Sequence, residues 1–585
     1  MSFSAIRNIA TSSLMATSVQ VSLTSSNIAN ADVEGYTRKL VTQVATVTGG
    51  VGTGTAITGI TSKVDKYLVK ALVESTSTLG AAEANSIFAN RLQDLFGQTI
   101  GGDNSENGTS LGNSIALLET ALANLAATPE SESLQSAVVD ALNYVTVQIN
   151  ETASGIQALR SEADSRIAES IDVVNAALAE IDTLNDAILA AQARGDSSAD
   201  LEDKRYTALQ TVATKMNVSY FINSRGEMYV YAAAGHPLVD SRAHVITYDP
   251  VSIVTKTTAF NDIKVDGKDI TTGITGGEIG ALISQRDTRL VAVQDEIDNL
   301  AAEMIDAVNA VHNRGTSLPP PSTLTGTTDV GPLGLGEPLA AAGTVRFAVV
   351  DQKGDLVSLT DINLAGFATV GDLVSAIDGI AGLSASLDAN GRLVVSADVA
   401  GTGVAINAMT SDIGGKGLSH YFGLNDLLTG TDSTTISVRA DLAATPGLIS
   451  SSILSGALVP LPASGDRVVT SGDETIAQGL YDALVGPHTF TAAGRLGISA
   501  TSFAGYAADI VNELATSYQS AKTNYGSMEA AQKSLADSLA SQSGVNIDEE
   551  TARLSELQDL YAVATQILAT LNEMFDALIQ AARTA

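Results

Sequence analysis

Five histidines, His236, His244, His312, His420 and His488, are the first residues to test for chemistry, and only His236 and His244 lie close together. A pair eight apart in loop-like sequence does not have the spacing of a zinc site. Cysteine is absent, which excludes thiolate ligands, disulfides and a Cys nucleophile. The stretch IGGKGLSH (413–420) comes nearest to a phosphate loop. There Gly417, rather than Ser or Thr, follows Lys416, and the upstream Gly at the required spacing is missing, so it reads as a turn. Asp200, Glu202 and Asp203 read as a solvated acidic face, and Asp548, Glu549 and Glu550 as the start of a helix, where acids suit the positive end of the dipole. No catalytic, cofactor-binding or metal-binding set emerges, and an enzyme is not expected.

A different kind of site is suggested by SNIANADVEGYTR (26–38). Asn27, Asn30 and Asp32 end a helical run, Gly35 can take the left-handed cap conformation, and Tyr36 heads the extended segment TRKLVTQVATV. Upstream, Leu14, Val21 and Ile28 are seven apart, with Ala10, Thr17 and Thr24 on the same face. At the other end Ile547, Leu554, Leu557, Tyr561, Ala564, Leu568, Leu571, Phe575 and Leu578 follow a coiled-coil spacing with one gap at Thr551. Burial of one such seam falls short of the entropy of ordering some forty residues. Both ends are therefore expected to be loose in the isolated chain and to order against partners. An antiparallel pairing of the two within one chain is the alternative.

Between these ends must lie the elements that position them. In 585 residues, three or four compact units are expected. Helical periodicity runs through Leu111–Leu125, Leu134–Ile149 and Leu159–Ile188, and a heptad seam through Ile283–Val311. VSYFINSRGEMYVY (218–231) reads as a hairpin around a Ser-Arg-Gly turn. The Pro-, Gly- and Thr-rich stretch 315–338 reads as a linker. Beyond it VRFAVVDQKGDLVSL and LSASLDANGRLVVSAD read as two strand–turn–strand units flanking a short helix at VGDLVSAI, and helical pattern returns from Ile510 to Leu539. The fold class is α+β, mainly α: an elongated multi-domain rod of long helices, with paired terminal coiled-coil-like helices and a β-rich inserted outer domain. The expected limits are 1–45 and 543–585 for an inner domain, 46–330 and 471–542 for a helical rod, and 331–470 for the outer insert.

Composition closes off other classes. Thirty-two basic against 65 acidic residues give a net charge of −33, which repels nucleic acid and anionic lipid. No run approaches the roughly 18 apolar residues of a membrane span, and MSFSAIRNIATSSLMATSV carries neither the basic cluster nor the unbroken apolar core of a cleaved signal.

SNIANADVEGYTR resembles the N-terminal motif of the axial proteins of the bacterial flagellum, the rod, hook and hook-associated proteins. SGVNIDEE (543–550) with ATLNEMFDALIQAAR resembles their C-terminal motif. With a long helical middle around DAILAAQARGDSSADLEDKRYTALQTVATKMNVSYFINSRGEMYVY, the chain is most similar to the members that join hook to filament. The resemblance implies that the termini pair in the innermost layer around the export channel and that the subunit leaves the cell unfolded through the flagellar type III apparatus. It implies a ring of own copies between the hook protein and a second junction protein, hook-associated protein 3, with a dedicated export chaperone on the C-terminal region. The assembly interface would then hold Leu14, Val21, Asn27, Ile28, Asn30, Gly35, Tyr36, Ile547, Leu554, Leu557, Tyr561, Leu568, Leu571, Phe575 and Leu578. The competing reading is a surface adhesin that binds through the β-rich section at 341–455.

Overall fold

In the computed structural model residues 3–33, 35–48, 50–97, 110–233 and 235–584 are described. The chain is mainly helical, with small antiparallel sheets of two or three strands. It divides into two compact units, each assembled from separate stretches of sequence. One holds Met1–Phe88, Ser161–Arg286 and Gln519–Ala585; the other holds Ala89–Arg160 and Asp287–Tyr518.

In the first unit the N-terminal helix, Phe3–Ala29, packs on the C-terminal helix, Ile547–Thr584. This is the pairing within one chain that the sequence left open. A long hairpin, Lys39–Thr48 with Val51–Ser62, lies against the N-terminal helix. Its approach is close because Gly54 has no side chain: a Cβ there would meet Ser12 Oγ at 2.2 Å. The hairpin read at 218–231 is present as Val218–Ile222 and Met228–Ala232, with Pro237–Val239 as a third strand. Met228, Val230 and Ala232 face inward, and the alternating Tyr229 and Tyr231 face outward against Phe221.

Helices and a β-rich insert make up the second unit. The helix Leu111–Ala127 is capped by Ser110, whose hydroxyl accepts from the Asn113 N–H. The two separate helical runs read after Pro129 are one helix of 63 residues, Glu132–Arg194, which contributes to both units. The heptad seam at 283–311 is interrupted: Gln285–Arg289 form a π-turn before the helix Leu290–His312, whose Leu290, Val293, Ile297, Leu300 and Met304 are buried.

In the insert both expected strand–turn–strand units occur, Thr344–Asp351 with Leu356–Asn363 and Leu383–Leu387 with Arg392–Ala397. Val370–Asp378 forms the short helix between them, closed by a capping box of Thr369 and Asp372. The 315–338 linker reading needs correction. Thr323–Asp329 is a strand, paired with Arg392–Ala397, because its β-branched threonines suit a pleated surface better than a Gly- and Pro-rich chain would.

Candidate functional site

The two end motifs, more than 500 residues apart in sequence, meet at Asn27. Its side chain is 1% exposed. Nδ2 donates to Lys39 O and to Glu550 Oε2, both at 3.0 Å, while Oδ1 accepts from Tyr36 Oη at 3.0 Å and Lys39 N at 3.1 Å. Both amide hydrogens and both lone pairs are thereby used, a pattern that neither Asp nor Ala could satisfy. Burial pushes the Tyr36 hydroxyl above its ordinary pKa, so it stays a neutral donor to Asn27.

Around this centre a second layer of bonds ties the C-terminal motif. Arg38 pairs with Glu550 at 2.5 Å and Glu549 at 3.2 Å, and its N–H donates to Ser543 O at 2.7 Å. Asn546 caps the C-terminal helix, its Oδ1 accepting from the N–H groups of Asp548 and Glu549. On the opposite side Lys39, which has lost almost all water contact, is paired with Asp203 of the helix Ala199–Lys215. Asp203 also accepts from Thr37 N at 3.0 Å and Thr37 Oγ1 at 2.7 Å. The tie therefore fixes both ends to the body of the same unit.

One of the acids was misread in sequence: Asp203, 7% exposed, belongs to no solvated face. Glu550 stands in the first turn of a helix as read, but at 1% exposure it is also a buried partner. Their partners Lys39 and Asn27 are 164 and 523 residues away, beyond any local pattern. Arg38, Lys39 and Asn546 were not singled out, although Arg38 and Asn546 stand inside the two quoted motifs and Lys39 directly follows the first.

Along the helix pair the N-terminal seam is the row Ala10, Thr17 and Thr24, with Ala16. Leu14, Val21 and Ile28 flank it, half-buried. Opposite, Glu550, Leu557, Ala564 and Leu571 form a buried row seven apart, with Leu554 and Leu568 half-buried beside it. Small side chains on one helix let the larger ones on the other approach its backbone. Asn30, half-buried, donates to Ser26 O at 2.9 Å; Gly35 is exposed at φ 78°.

Ile547, Tyr561, Phe575 and Leu578 remain exposed. The lengths explain the last two: antiparallel from Asn27–Glu550, a 27-residue helix runs out before its 38-residue partner reaches Phe575. A further apolar stripe, Leu560, Val563, Ile567 and Met574, is exposed on the C-terminal helix and runs into Leu578.

Elsewhere no group of three His, Asp or Glu among the described residues could hold a metal. His312 is fully buried, with Nδ1 2.6 Å from Asn425 O and Nε2 accepting from Ser450 N at 2.9 Å. In the glycine-rich 413–420 stretch, Lys416 and His420 both face Asp306, at 2.5 and 3.4 Å.

Comparison with known proteins gives the same arrangement in family terms. Residues 8–37 match the flagella basal body rod protein family and 538–581 the C-terminal region of the flagellar basal body rod FlgEFG proteins. Residues 103–325 match the helical domain of flagellar hook-associated protein FlgK, and 344–399 the flagellin hook IN motif. The rod-type matches fall on the two halves of the Asn27 tie, and with the helical match between them they define a structural, non-enzymatic axial component of the bacterial flagellum. Within that class the chain is similar from end to end to flagellar hook-associated protein 1. It is 24% identical to that protein from Escherichia coli (strain K12) and from Salmonella typhimurium (strain LT2), over 98% of this chain and 99% of each relative. The solved structure of the flagellar hook junction protein FlgK from Burkholderia pseudomallei matches with a TM-score of 0.49 and 13% identity, covering 80% of this chain and 99% of that one.

Proposed function

We propose that this chain is the structural adaptor between flagellar hook and filament, an extracellular part of the flagellum that forms a ring of its own copies. Hook protein on one side and hook-associated protein 3 on the other are its neighbours, and a chaperone holds the C-terminal helix before export. The observation that carries this is the uncovered apolar stripe on the C-terminal helix. A single chain covers only the Leu557, Ala564 and Leu571 row, and the stripe from Leu560 to Leu578 is left for neighbours. The Asn27 tie holds the start of the C-terminal helix against the end of the N-terminal one.

The test is Ile567→Asp combined with Leu578→Asp, both exposed positions whose change leaves the buried row intact. The variant is expected to fold and to be secreted, while filament subunits escape into the medium. Cells that carry normal filaments with this variant would overturn the assignment.

A further inference from the structure

We propose that the loop 491–498 is a proton-controlled strap, closed on the helix Leu290–His312 while Glu296 carries a proton and lifted when that carboxyl ionises. The strap lies wholly within the second unit and depends neither on the terminal helices nor on the ring of copies.

The feet of the strap are firm and its span is not. It joins two short strands, His488–Phe490 and Ser499–Thr501, which pair with each other. At one foot Phe490 is fully buried, stacked on Tyr506 with ring centroids 4.0 Å apart and edge-on to Phe503 at 5.2 Å. Along the span Thr491, Ala492, Gly494, Arg495, Gly497 and Ile498 are exposed, and only Ala493 and Leu496 are half-buried. Little hydrocarbon holds the span down, so a few polar bonds decide whether it stays. Asn299 Nδ2 donates to Thr491 O at 3.1 Å, and its Oδ1 accepts from Thr491 Oγ1 at 3.0 Å. Arg495 Nε meets Glu513 of the helix Phe503–Ser543 at 3.2 Å, and Arg495 N donates to Glu296 Oε1 at 2.8 Å.

The last of these bonds ends on a group that titrates. Glu296 has no exposed surface, and its second oxygen, Oε2, is buried without a hydrogen-bond partner among the described residues. Gly494, at φ 55°, lies directly on it: a Cβ there would stand 2.1 Å from Ala292 O and 2.7 Å from Glu296 Cγ and Oε1. Strap backbone therefore covers the carboxyl where water otherwise would. A neutral carboxyl tolerates that cover, whereas a carboxylate with one oxygen unbonded needs water or a donor. The charges that face Glu296 are Glu513, Arg289 and Arg495. Both cations are already engaged by Glu513, Arg289 at 3.1 and 2.9 Å and Arg495 at 3.2 Å. Burial outweighs them and raises the Glu296 carboxyl from 4.5 to about 7. Lifting Gly494 wets Oε2 and restores the ordinary value, so the closed form is favoured at low pH and opening gains as pH rises between those limits.

Hydrogen exchange of the full chain, corrected for the intrinsic pH dependence of amide exchange, tests this. Protection of the Arg495 and Leu496 amides is expected to fall about tenfold per pH unit between roughly pH 5 and 7 and to level off above. The foot strands should keep theirs throughout. Glu296→Gln is neutral at every pH and is expected to hold strap protection constant across that range. Gly494→Ala, whose Cβ meets Ala292 O, is expected to leave the strap open at pH 5 as well, with the feet still protected. His488, at one foot, pairs with Glu303 at 2.8 Å and is the other group there able to titrate. His488→Gln is expected to leave the fall in place. Strap protection that is independent of pH in the parent chain overturns the proposal, and so does a fall that survives Glu296→Gln or vanishes in His488→Gln.

Discussion

The terminal helix pair and the β-rich insert solve the same problem of burial in opposite ways. In the insert, Val345, Phe347 and Val349 alternate toward one core with Leu373 and Ile377 of the short helix, while Ala348 and Val350 face a second core with Leu454 and Val469. Both faces of one strand are closed within the chain. At the ends, the N-terminal helix buries only Ala10, Ala16, Thr17, Thr24 and Asn27, and its partner leaves a stripe of large apolar residues in water. The insert obtains stability from mass of hydrocarbon, whereas the ends obtain geometry from a few saturated polar bonds and rely on neighbours for the rest.

The sharpest way to break this contrast is to cut into each region and compare. Phe347→Ala removes a fully buried ring and is expected to cost about 3–5 kcal/mol, read as a lower midpoint in urea unfolding of the full chain. A midpoint within error of the parent would show that the insert does not carry its own stability. Asn27→Asp is next: it removes the two N–H donors and sets a carboxylate against Glu550, at a local cost of about 2–3 kcal/mol. Its readout is different. Hydrogen exchange should rise in 3–29 and 547–584 while the insert keeps its protection, and Asn27→Ala should do so less. Equal loosening of the insert would mean that the regions are not independent.

How much of this the sequence disclosed depends on how local the cause is. The insert hairpins were legible because alternation and turn chemistry lie within fifteen residues, with Gly354 and Gly391 at φ 92° and 73° where the turns need them. The helix pair was legible as seven-residue rows, but not which of the two N-terminal rows, read as one face, packs within the chain. Leu14, Val21 and Ile28 are larger, yet close approach of two helices favours Ala10, Thr17 and Thr24, and size alone does not show which row a partner will press against. The Asn27 tie was legible only as a resemblance between motifs. Nothing local joins Asn27 to Glu550 or Lys39 to Asp203; those bonds exist because the fold returns its last helix to its first.

The smallest expected effect concerns pH, and it tests whether the body stays steady while the ends are perturbed. Two titrating groups on the helix Leu290–His312 act in opposite directions. Burial lowers His312 from 6.5 to about 4, so its contribution is complete above 6.5 and is lost as pH falls toward about 4. Burial raises Glu296 from 4.5 to about 7, although Arg495 N–H at 2.8 Å favours the charged form; its contribution is complete below 4.5 and is lost as pH rises toward about 7. Between those limits the unfolded chain holds its proton on the histidine and the folded chain holds it on the glutamate. The number bound by this pair is nearly the same, and its own contribution to the linkage slope is close to zero. The parent melting temperature should therefore change little from pH 5 to 6.5, Glu296→Gln should make stability rise with pH across that window, and His312→Asn should make it fall. Parallel slopes in the two variants would refute the compensation.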